Sequence, residues 1–360
     1  MNRHFASIIA ASAALLAVIG CSDDKPTSSN NGDQAQFNRT EWNDQGYWDV
    51  VLDATNSDHF VYYSLAAGDT VDISDEEAQS SIAWDIAFKR SVVVLNGGVS
   101  GPGEVSGVDL AALGHPDSTD FPAFDDLGFI SDSDWLSDSF SLTISDWYIY
   151  DPQTHTISLS HYVYIMKDAE GNYVKFQVIS MQGNGMPPNM GTISVQYDYA
   201  GDSPDFPGNP DTISFDGSSG GPVYIDFSAG AVTNPPDPSN STEWDILFEA
   251  YEVLQNCTLF GIGSAATYPV WMDQEDPTDF YETTSAPEEP NAYFPDDFGS
   301  VFSNWYAYSG PPLHRLTSYE HVYVARNGGN RYKMQILNYY QDIDGEPVSG
   351  YYAFRWLGLQ

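Results

Sequence analysis

Positive charge is scarce in this sequence, which has 12 lysine and arginine residues against 51 aspartate and glutamate residues and a formal net charge of -39. Proteins bind nucleic acid by neutralising its phosphate groups with lysine and arginine side chains. The composition therefore excludes nucleic acid as a partner. Anionic lipid headgroups would be repelled as well, so attachment to a membrane has to depend on something other than surface charge.

Long apolar runs are also lacking, with one exception from Ile8 to Ile19 that follows Arg3 near the start of the sequence. This run is too short for a membrane span and has the form of a signal peptide. The residues that follow it, Val18-Ile19-Gly20-Cys21, match the bacterial lipobox, in which the cysteine is acylated after cleavage. We expect residues 1–20 to be a signal peptide and Cys21 to carry a lipid anchor.

The polar segment after Cys21 contains no large apolar residue from Ser22 to Gln36, so we expect residues 21–41 to be a flexible tether. Together these features predict a lipoprotein of the bacterial outer membrane, held through its acyl chains only and either exposed at the surface or released. The alternative is a secreted protein that is cleaved near Gly20 and has an unmodified Cys21. Cys257 is then the one cysteine left in the folded part, and we predict that it is a buried apolar residue.

Motifs of the common enzyme classes are missing. The sequence has no His-Glu-x-x-His pair and no cysteine cluster for zinc. A glycine-rich segment, Asn96–Gly107, follows a predicted strand, but no helix pattern opens after it as phosphate binding would require. Its counterpart in the second half of the sequence, Asn256–Gly263, keeps fewer glycines, which argues against a shared ligand. We predict that this segment is a tightly turning loop and that the protein is not an enzyme.

The sequence repeats itself with a period near 160 residues, which indicates a duplication. Matching segments are Trp84–Phe88 with Trp244–Phe248, His115–Phe121 with Gln274–Phe280, Ser145–Tyr150 with Ser303–Tyr308, Val163–Lys167 with Val322–Arg326, and Tyr173–Gln177 with Arg331–Gln335. We therefore predict one domain over residues 42–200, a linker rich in proline and glycine over residues 201–211, and a second domain over residues 212–360.

Almost every segment has the pattern of a β-strand, and no amphipathic helix is evident, so we predict two tandem all-β domains. The predicted strands are short, rich in aromatic and β-branched residues, and bounded by turn residues: Phe60–Leu65, Trp84–Phe88, Ser91–Leu95, Trp147–Tyr150, Tyr162–Met166 and Tyr173–Ile179. In Trp84–Phe88 the alternation of residues predicts a strand buried on one face. The segments Glu170–Asn172 and Asn327–Asn330 predict hairpin turns.

The residues Trp84–Arg90, followed by the glycine-rich Asn96–Gly103, resemble the HmuY family of haem-binding bacterial lipoproteins. The end of each copy, with a Val-Tyr strand, a charged turn and a strand containing Tyr and Lys, is similar to the end of that family. The resemblance covers Trp42–Tyr199 well and Thr212–Gln360 more weakly, so the second copy looks degenerate. It implies an all-β fold and non-enzymatic capture of one haem between two side chains, two His or two Met, for delivery to an outer-membrane haem receptor.

The same resemblance places one haem ligand in the loop after Trp147–Tyr150 and the other in a loop some tens of residues earlier. His155 and His115 lie in these regions, so the resemblance implies that His115 and His155 are the axial ligands of haem iron in the first domain. Neutral imidazole is a good axial ligand of haem iron. His155 has a counterpart in His314, but Gln274 replaces His115 in the second copy, so haem is expected in the first domain.

Several alternatives stay open. The histidines His155 and His314 equally suit a structural hydrogen bond at their turn. His59, His161 and His321 rank below His115 and His155 as ligands, and Met181, Met186 and Met190 offer thioether ligands in one loop.

A divergent lipoprotein of the same fold could instead bind a protein or glycan through exposed Trp and Tyr side chains. A third possibility is a calcium-stabilised adhesin domain with ligands in Asp125-Asp126 or Asp132-Ser133-Asp134, although no fixed calcium-site spacing is present.

Overall fold

The computed structural model describes residues 38–115, 117–123, 127–183, 190–268, 278–289, 292–310 and 312–359. The predicted signal peptide and Cys21 lie outside these residues. The chain forms two compact units. One unit is the uninterrupted segment Ser141–Asp297, which we call the continuous unit. The other combines residues 38–140 with residues 298–359, and we call it the split unit.

Both units are built almost entirely of β-strands, most of them short. In chain order the strands are β1 (Arg39–Trp42), β2 (Trp48–Asp53), β3 (Val61–Ser64), β4 (Asp69–Val71), β5 (Ile86–Lys89), β6 (Val92–Leu95), β7 (Ser106–Asp109), β8 (Ser139–Ser141), β9 (Tyr148–Asp151), β10 (Thr156–Leu159), β11 (Val163–Lys167), β12 (Tyr173–Met181), β13 (Thr192–Gly201), β14 (Asp211–Asp216), β15 (Val223–Asp226), β16 (Ala231–Thr233), β17 (Ile246–Glu249), β18 (Glu252–Gln255), β19 (Ala266–Tyr268), β20 (Asp297–Gly299), β21 (Tyr306–Tyr308), β22 (Leu316–Ser318), β23 (Val322–Asn327), β24 (Asn330–Ile343) and β25 (Glu346–Leu359). Helical structure in the described residues consists of α1 (Asp75–Ala78), the 3-10 turns Phe121–Ala123, Asp132–Asp134 and Pro238–Asn240, and the 3-10 conformation of Ala292.

The split unit contains a six-stranded sheet in the order β1-β2-β25-β24-β23-β7 and a four-stranded sheet in the order β4-β3-β5-β6. Neighbouring strands in both sheets are antiparallel. One apolar core contains side chains from both sheets, such as Phe88 of β5 and Phe354 of β25, whose ring centroids are 5.2 Å apart. The unit is therefore a two-layer β-sandwich. Strands β21 and β22 form a separate hairpin.

The continuous unit repeats this arrangement with a five-stranded sheet in the order β14-β13-β12-β11-β19 and a four-stranded sheet in the order β16-β15-β17-β18. Neighbouring strands are again antiparallel. Its core joins both sheets, for example through Phe176 of β12 and Phe248 of β17. Strands β9 and β10 form the hairpin that corresponds to β21 and β22.

Each unit combines the first half of one sequence copy with the second half of the other. Strands β1–β7 of the first copy share the split unit with β21–β25 of the second, whereas β9–β13 and β14–β19 share the continuous unit. The compact units therefore follow different boundaries from the predicted domains 42–200 and 212–360. Residues 201–211, predicted as the interdomain linker, instead connect the neighbouring strands β13 and β14 of one sheet, and Phe206 within them is buried.

The six predicted strands are all present, and their ends differ from the prediction by at most two residues. The hairpin turns are confirmed as well, with Gly171 and Gly328 in the positive-φ conformation between β11 and β12 and between β23 and β24. Cys257 is buried, and burial raises the pKa of its thiol to about 12. No helix within the described residues is long and apolar enough to span a membrane.

The motif Trp84–Phe88 is buried on both faces, so the predicted half-buried strand is wrong. Ile86 and Phe88 lie in the core between the two sheets, while Trp84 and Ala87 pack in a second apolar cluster. Helix α1 contributes Ala78 to that cluster, and the carbonyl oxygen of Ala78 accepts a 3.3 Å hydrogen bond from Nε1 of Trp84. The second cluster arises because this helix covers what would otherwise be the solvent face.

The glycine-rich loop folds around the buried side chain of Asn96. Nδ2 of Asn96 donates to the carbonyl oxygens of Ser81 and Trp84, and Oδ1 accepts from the backbone N–H of Gly103. A Cβ atom on Gly101 would overlap Oδ1 of the asparagine. The loop is therefore a tight turn, as predicted, and its glycines leave space for an internal amide.

The second copy contains the same network around Asn256. Nδ2 donates to the carbonyl oxygens of Ser241 at 2.9 Å and Trp244 at 2.7 Å, and Oδ1 accepts from the N–H of Gly263 at 3.0 Å. A Cβ atom on Gly261 would overlap the same Oδ1 atom. The glycines that this copy keeps are thus the ones that the asparagine requires.

Two equivalent carboxyl groups are buried next to the ends of β6 and β18. Oδ2 of Asp138 accepts a 2.7 Å hydrogen bond from the N–H of Leu95, and Oδ2 of Asp296 accepts one of 2.7 Å from the N–H of Gln255. Burial raises the pKa of Asp138 to about 7 and that of Asp296 to about 6, despite these hydrogen bonds. Both groups therefore bind a proton more tightly in the folded protein than in the unfolded chain.

We expect the free energy of unfolding to fall as the pH rises from about 4 to about 7, because the folded state holds protons that the unfolded chain releases. For Asp138, the difference between the ordinary pKa of 3.8 and one of about 7 corresponds to at most about 4 kcal/mol. The substitution Asp138→Asn should flatten this pH dependence, measured by urea unfolding at pH 5 and pH 8. The control is Asp132→Asn, because the Asp132 side chain is fully exposed. Equal slopes in the wild type and Asp138→Asn would contradict the prediction.

Candidate functional site

The predicted ligand His155 lies in the hairpin formed by β9 and β10 of the continuous unit. Its Nδ1 atom is 2.7 Å from the hydroxyl oxygen of Tyr150, the residue before the last one of β9. The carboxylate of Asp151 shapes the loop by accepting hydrogen bonds from the N–H groups of Gln153 and Thr154 and from the Thr154 hydroxyl. His155 itself has a φ of 55°, a backbone conformation that is uncommon for residues other than glycine.

His314 occupies the same place in the split unit, in the hairpin formed by β21 and β22. Its Nδ1 atom is hydrogen-bonded to the hydroxyl of Tyr308, the last residue of β21, and its φ is 46°. The loop is closed by hydrogen bonds between Ser309 and Arg315. The structural hydrogen bond that the sequence left open for His155 and His314 is therefore present in both hairpins.

The second predicted ligand, His115, lies in the split unit in the loop after β7. Its backbone N–H donates to the carbonyl oxygen of Leu110 at 3.1 Å, and its Nδ1 atom accepts from the N–H of Asp117 at 3.3 Å. The ring centroid is 4.8 Å from that of the exposed Phe129. The ring is therefore partly covered by an aromatic side chain.

His115 and His155 belong to different compact units, so neither unit contains the predicted pair. The reason is the exchange of halves described above, which separates the first half of each copy from its second half. The histidine that shares a unit with His115 in the corresponding hairpin is His314. Gln274, the counterpart of His115, lies outside the described residues.

His321 ranked below the predicted pair. Of the described histidines, it has the hydrogen bonding that best suits metal binding through Nε2. Its Nδ1 atom is 3.1 Å from Oδ2 of Asp109, and the ring of Tyr319 stacks on it with centroids 5.3 Å apart. A carboxylate that accepts from Nδ1–H leaves the lone pair on Nε2. Sequence reasoning missed this pair because Asp109 and His321 lie in different copies and meet only where β7 pairs with β23.

The remaining histidine and methionine residues are weaker candidates for ligands of haem iron. His59 is exposed and lies 3.4 Å from Asp75, and the backbone carbonyl of His161 accepts a hydrogen bond from Gln177. Met190 is buried in the apolar core, and Met186 lies outside the described residues. In the part of the chain that the structure covers, no group of three or more His, Cys, Asp or Glu side chains could hold a metal ion.

The carboxylates considered for calcium are arranged differently from a binding loop. Asp134 accepts hydrogen bonds of 2.7 Å from both the N–H and the hydroxyl of Ser131, and Asp132 points into solvent 3.9 Å from Arg326. Asp125 and Asp126 lie outside the described residues.

Two cationic side chains, Arg315 in one unit and Lys175 in the other, have different surroundings. In the split unit, exposed Arg315 follows His314 directly, and its guanidinium carbon is 5.0 Å from the centre of the Tyr340 ring. The buried Lys175 of the continuous unit instead donates to the carbonyl oxygens of Phe280 and Thr283, and desolvation lowers the pKa of its ammonium group. Arg315 is therefore available to an anionic ligand, whereas Lys175 is used to hold a loop.

Comparison with known proteins gives a family for both copies. The model of the HmuY protein family matches residues 56–197 and again residues 221–356. A comparison with curated proteins finds no match. Among solved structures, an HmuY-like protein from Bacteroides vulgatus ATCC 8482 is 18% identical, with a TM-score of 0.17, and the match covers 42% of this chain and 90% of that chain. Apo PinO from Porphyromonas gingivitis is 12% identical, with a TM-score of 0.15, and the match covers 62% of this chain and 97% of that chain.

These structural similarities are too low to support an argument, so the assignment depends on the family model. That model matches well over half of the sequence, in two regions that coincide with the two copies of the repeat. The resemblance first seen in Trp84–Arg90 and the glycine-rich loop is thereby confirmed. The chain belongs to the HmuY family.

Proposed function

We propose that this protein is a non-enzymatic haem-binding lipoprotein of the bacterial outer membrane, anchored through Cys21, that passes haem to an outer-membrane receptor. The observation that supports this proposal is family membership over both copies of the repeat. The lipobox before Cys21 supports the anchor. The excess of acidic residues supports attachment through acyl chains rather than through surface charge.

We place the principal haem site in the split unit, with His115 from the loop after β7 and the β21–β22 hairpin that contains His314. Within this unit both regions that the family resemblance points to contain a histidine. His155 remains the proposed haem residue of the continuous unit, whose sequence has Gln274 at the position that matches His115. Haem iron needs only one or two ligands from the protein, so isolated imidazoles suffice.

The hydrogen bonds constrain how His115 would bind iron. In the structure its Nδ1 atom accepts from the N–H of Asp117, so the neutral ring has its proton on Nε2. A ring in this state has no lone pair on Nε2. Coordination through Nε2 therefore requires that the ring release Asp117 and move its proton to Nδ1, whereas the Asp109-bound ring of His321 needs no such change.

Titration of the full-length protein with ferric haem, followed at the Soret band, tests the proposal. We expect binding in the micromolar range or tighter, and a loss of about tenfold or more in affinity at the split-unit site in His115→Ala and His314→Ala, because each removes part of the iron environment. The control is His59→Ala, which removes an exposed histidine whose ring is held by Asp75.

The absence of a Soret change in the wild-type protein would refute haem binding. Unchanged affinity in both variants would instead reject these residues and leave the haem proposal standing.

The alternative is that the same fold binds a protein or a glycan. The split unit exposes several large apolar and aromatic side chains, among them Leu313, Tyr308 and Tyr319. Aromatic side chains of this kind are common at binding surfaces. This alternative becomes the better explanation if the purified protein shows no micromolar haem binding.

A further inference from the structure

Two arginine side chains of the split unit lie next to each other on neighbouring strands. Arg326 of β23 and Arg331 of β24 are directly paired residues in the antiparallel register. Like charges directly opposite each other destabilise a sheet. The pair is more unusual because the whole chain has 12 lysine and arginine residues against 51 acidic ones. The fold thus brings two of its few cations together despite their repulsion.

Both guanidinium groups lie beside the same indole ring. The guanidinium carbon of Arg326 is 4.5 Å from the centre of the Trp135 ring, and that of Arg331 is 5.9 Å from it. Trp135 packs against an apolar cluster that includes Val324 of β23. Nε of Arg326 also donates a 3.3 Å hydrogen bond to the hydroxyl of the buried Ser106. These contacts hold the guanidinium groups in place without neutralising their charge.

Acidic side chains leave most of this positive charge uncompensated. Among the described residues, the carboxylate nearest to either guanidinium group is that of Asp132, with Oδ1 3.9 Å from Nη1 of Arg326. This distance is too long for a hydrogen bond, and the Asp132 side chain is fully exposed. Gly328 and Gly329, in the turn between the two strands, have open space around them. The arginine pair is therefore accessible to an anion from solution.

The corresponding positions of the continuous unit show that the fold does not require two cations here. They hold Lys167 of β11 and Tyr173 of β12, which are paired in the same register. Nζ of Lys167 is 5.4 Å from the centre of the Tyr173 ring and 5.0 Å from that of Tyr293. One cation thus lies beside two rings in this unit, whereas two cations lie beside one ring in the split unit. The second arginine is therefore an addition specific to the split unit.

We propose that Arg326 and Arg331 form a binding site for a phosphate monoester, with no residue in common with the proposed haem site. Guanidinium groups bind phosphate oxygens through paired N–H donors. A phosphate monoester carries close to two negative charges at neutral pH, so it matches the two guanidinium charges, whereas a carboxylate matches one. Both small soluble esters and lipid headgroups contain this group. The inference does not depend on haem binding.

Isothermal titration calorimetry of the full-length protein with glycerol 3-phosphate tests the proposal. We expect one site per chain, with a Kd below about 1 mM at pH 7.5. Arg326→Gln and Arg331→Gln should each weaken binding by about tenfold or more, because each removes one of the two charges. The variant Arg331→Lys keeps the charge but loses the paired donors, so its loss should be smaller. The control is Lys167→Gln, which removes one charge at the corresponding position of the continuous unit and should bind as the wild type does.

The charge of the ligand gives a second test. A phosphate monoester loses its second proton at about pH 6, whereas sulfate carries two charges throughout the range. The affinity for glycerol 3-phosphate relative to that for sulfate should therefore rise by about tenfold from pH 5 to pH 8. Sulfate serves as the reference because it responds to any change in the protein itself. Acetate that binds as tightly as glycerol 3-phosphate would overturn the assignment to a phosphate group.

Dihexanoyl phosphatidic acid, a soluble lipid with a phosphate monoester headgroup, distinguishes the two sources. Leu136, the residue after Trp135, is an exposed apolar side chain that an acyl chain can contact. Binding about tenfold tighter than that of glycerol 3-phosphate would support a lipid headgroup at the arginine pair. Equal or weaker binding of the lipid would support a small soluble ester at the same pair.

The stability of the variants separates lost binding from lost folding. Arg331 is exposed and its removal relieves the repulsion of Arg326, so Arg331→Gln should unfold at a urea concentration no lower than that of the wild type. No heat of binding at millimolar glycerol 3-phosphate, or unchanged affinity in both glutamine variants, would overturn the inference.

Discussion

Residues 141–297, produced without the rest of the chain, are expected to fold cooperatively into the continuous unit. All strands of its two sheets and of its β9–β10 hairpin lie within this segment. So do all members of its main apolar core, including the fully buried Trp147. Since buried apolar area is the main favourable contribution to folding, the segment contains what its stability requires. Urea unfolding followed by tryptophan fluorescence and far-ultraviolet circular dichroism measures the result.

The control for this experiment is the segment 141–201, which keeps β9–β13 but lacks β14–β19. It lacks the four-stranded sheet that packs against β11–β13, so its apolar face would be left in water and we expect it to be unfolded. An unfolded 141–297 segment under conditions in which the full chain is folded would show that the continuous unit depends on residues outside it.

Asn256→Ala is expected to destabilise the continuous unit by about 3–5 kcal/mol, because it leaves three buried backbone groups without partners. These groups are the carbonyl oxygens of Ser241 and Trp244 and the N–H of Gly263. The asparagine is fully buried, and the glycines around it leave no space through which water could easily replace its amide. The free energy of unfolding from urea titration measures the effect.

A matched control is Asn209→Ala in the same unit. The amide of Asn209 is exposed and makes one long hydrogen bond, 3.4 Å to the carbonyl oxygen of Pro207. We expect this variant to change stability by about 0.5 kcal/mol or less. A similar small effect in Asn256→Ala would mean that the backbone of the glycine-rich loop holds itself in place without the asparagine.

The sequence was sufficient to predict the strands and the duplication, because both are recorded in local patterns. Alternation of apolar residues and turn glycines such as Gly171 specify where strands begin and end. Burial on the second face of Trp84–Phe88 could not be read from the same pattern. It depends on Ala78 of helix α1, a single turn too short to leave a periodic signal.

The exchange of halves could not be predicted because the two copies offer equivalent partners. Strand β2 pairs with β25 of the second copy, but the first copy contains an equivalent strand, β13, which instead pairs with β14. Apolar residues of the same kind line both alternatives, Phe354 and Trp356 in β25 and Val195 and Tyr197 in β13. Local patterns show that a strand needs an apolar neighbouring strand. They do not show whether the first or the second copy supplies that neighbour.

Only part of the candidate site could be predicted, again because the two copies offer equivalent partners. The histidines of both hairpins were identified from the repeat, and so was the possibility of a hydrogen bond at their turn, which the structure contains. Pairing His115 with His155 assumed that one copy makes one folded unit. The contact between Asp109 and His321 depends on that exchange and has no local signal.

The pairing of β2 with β25 also sets the order in which the two units can finish folding during synthesis. Asp53 and Tyr351 are neighbours in the sheet although they are about 300 residues apart in the sequence. Strands β1–β7 are synthesised before the continuous unit. Until that unit has been made, they lack their partners β23 and β25, so they have unpaired edges and exposed apolar faces. Strand β2 is therefore synthesised before every strand of the continuous unit but gains its neighbour β25 only after all of them have been made.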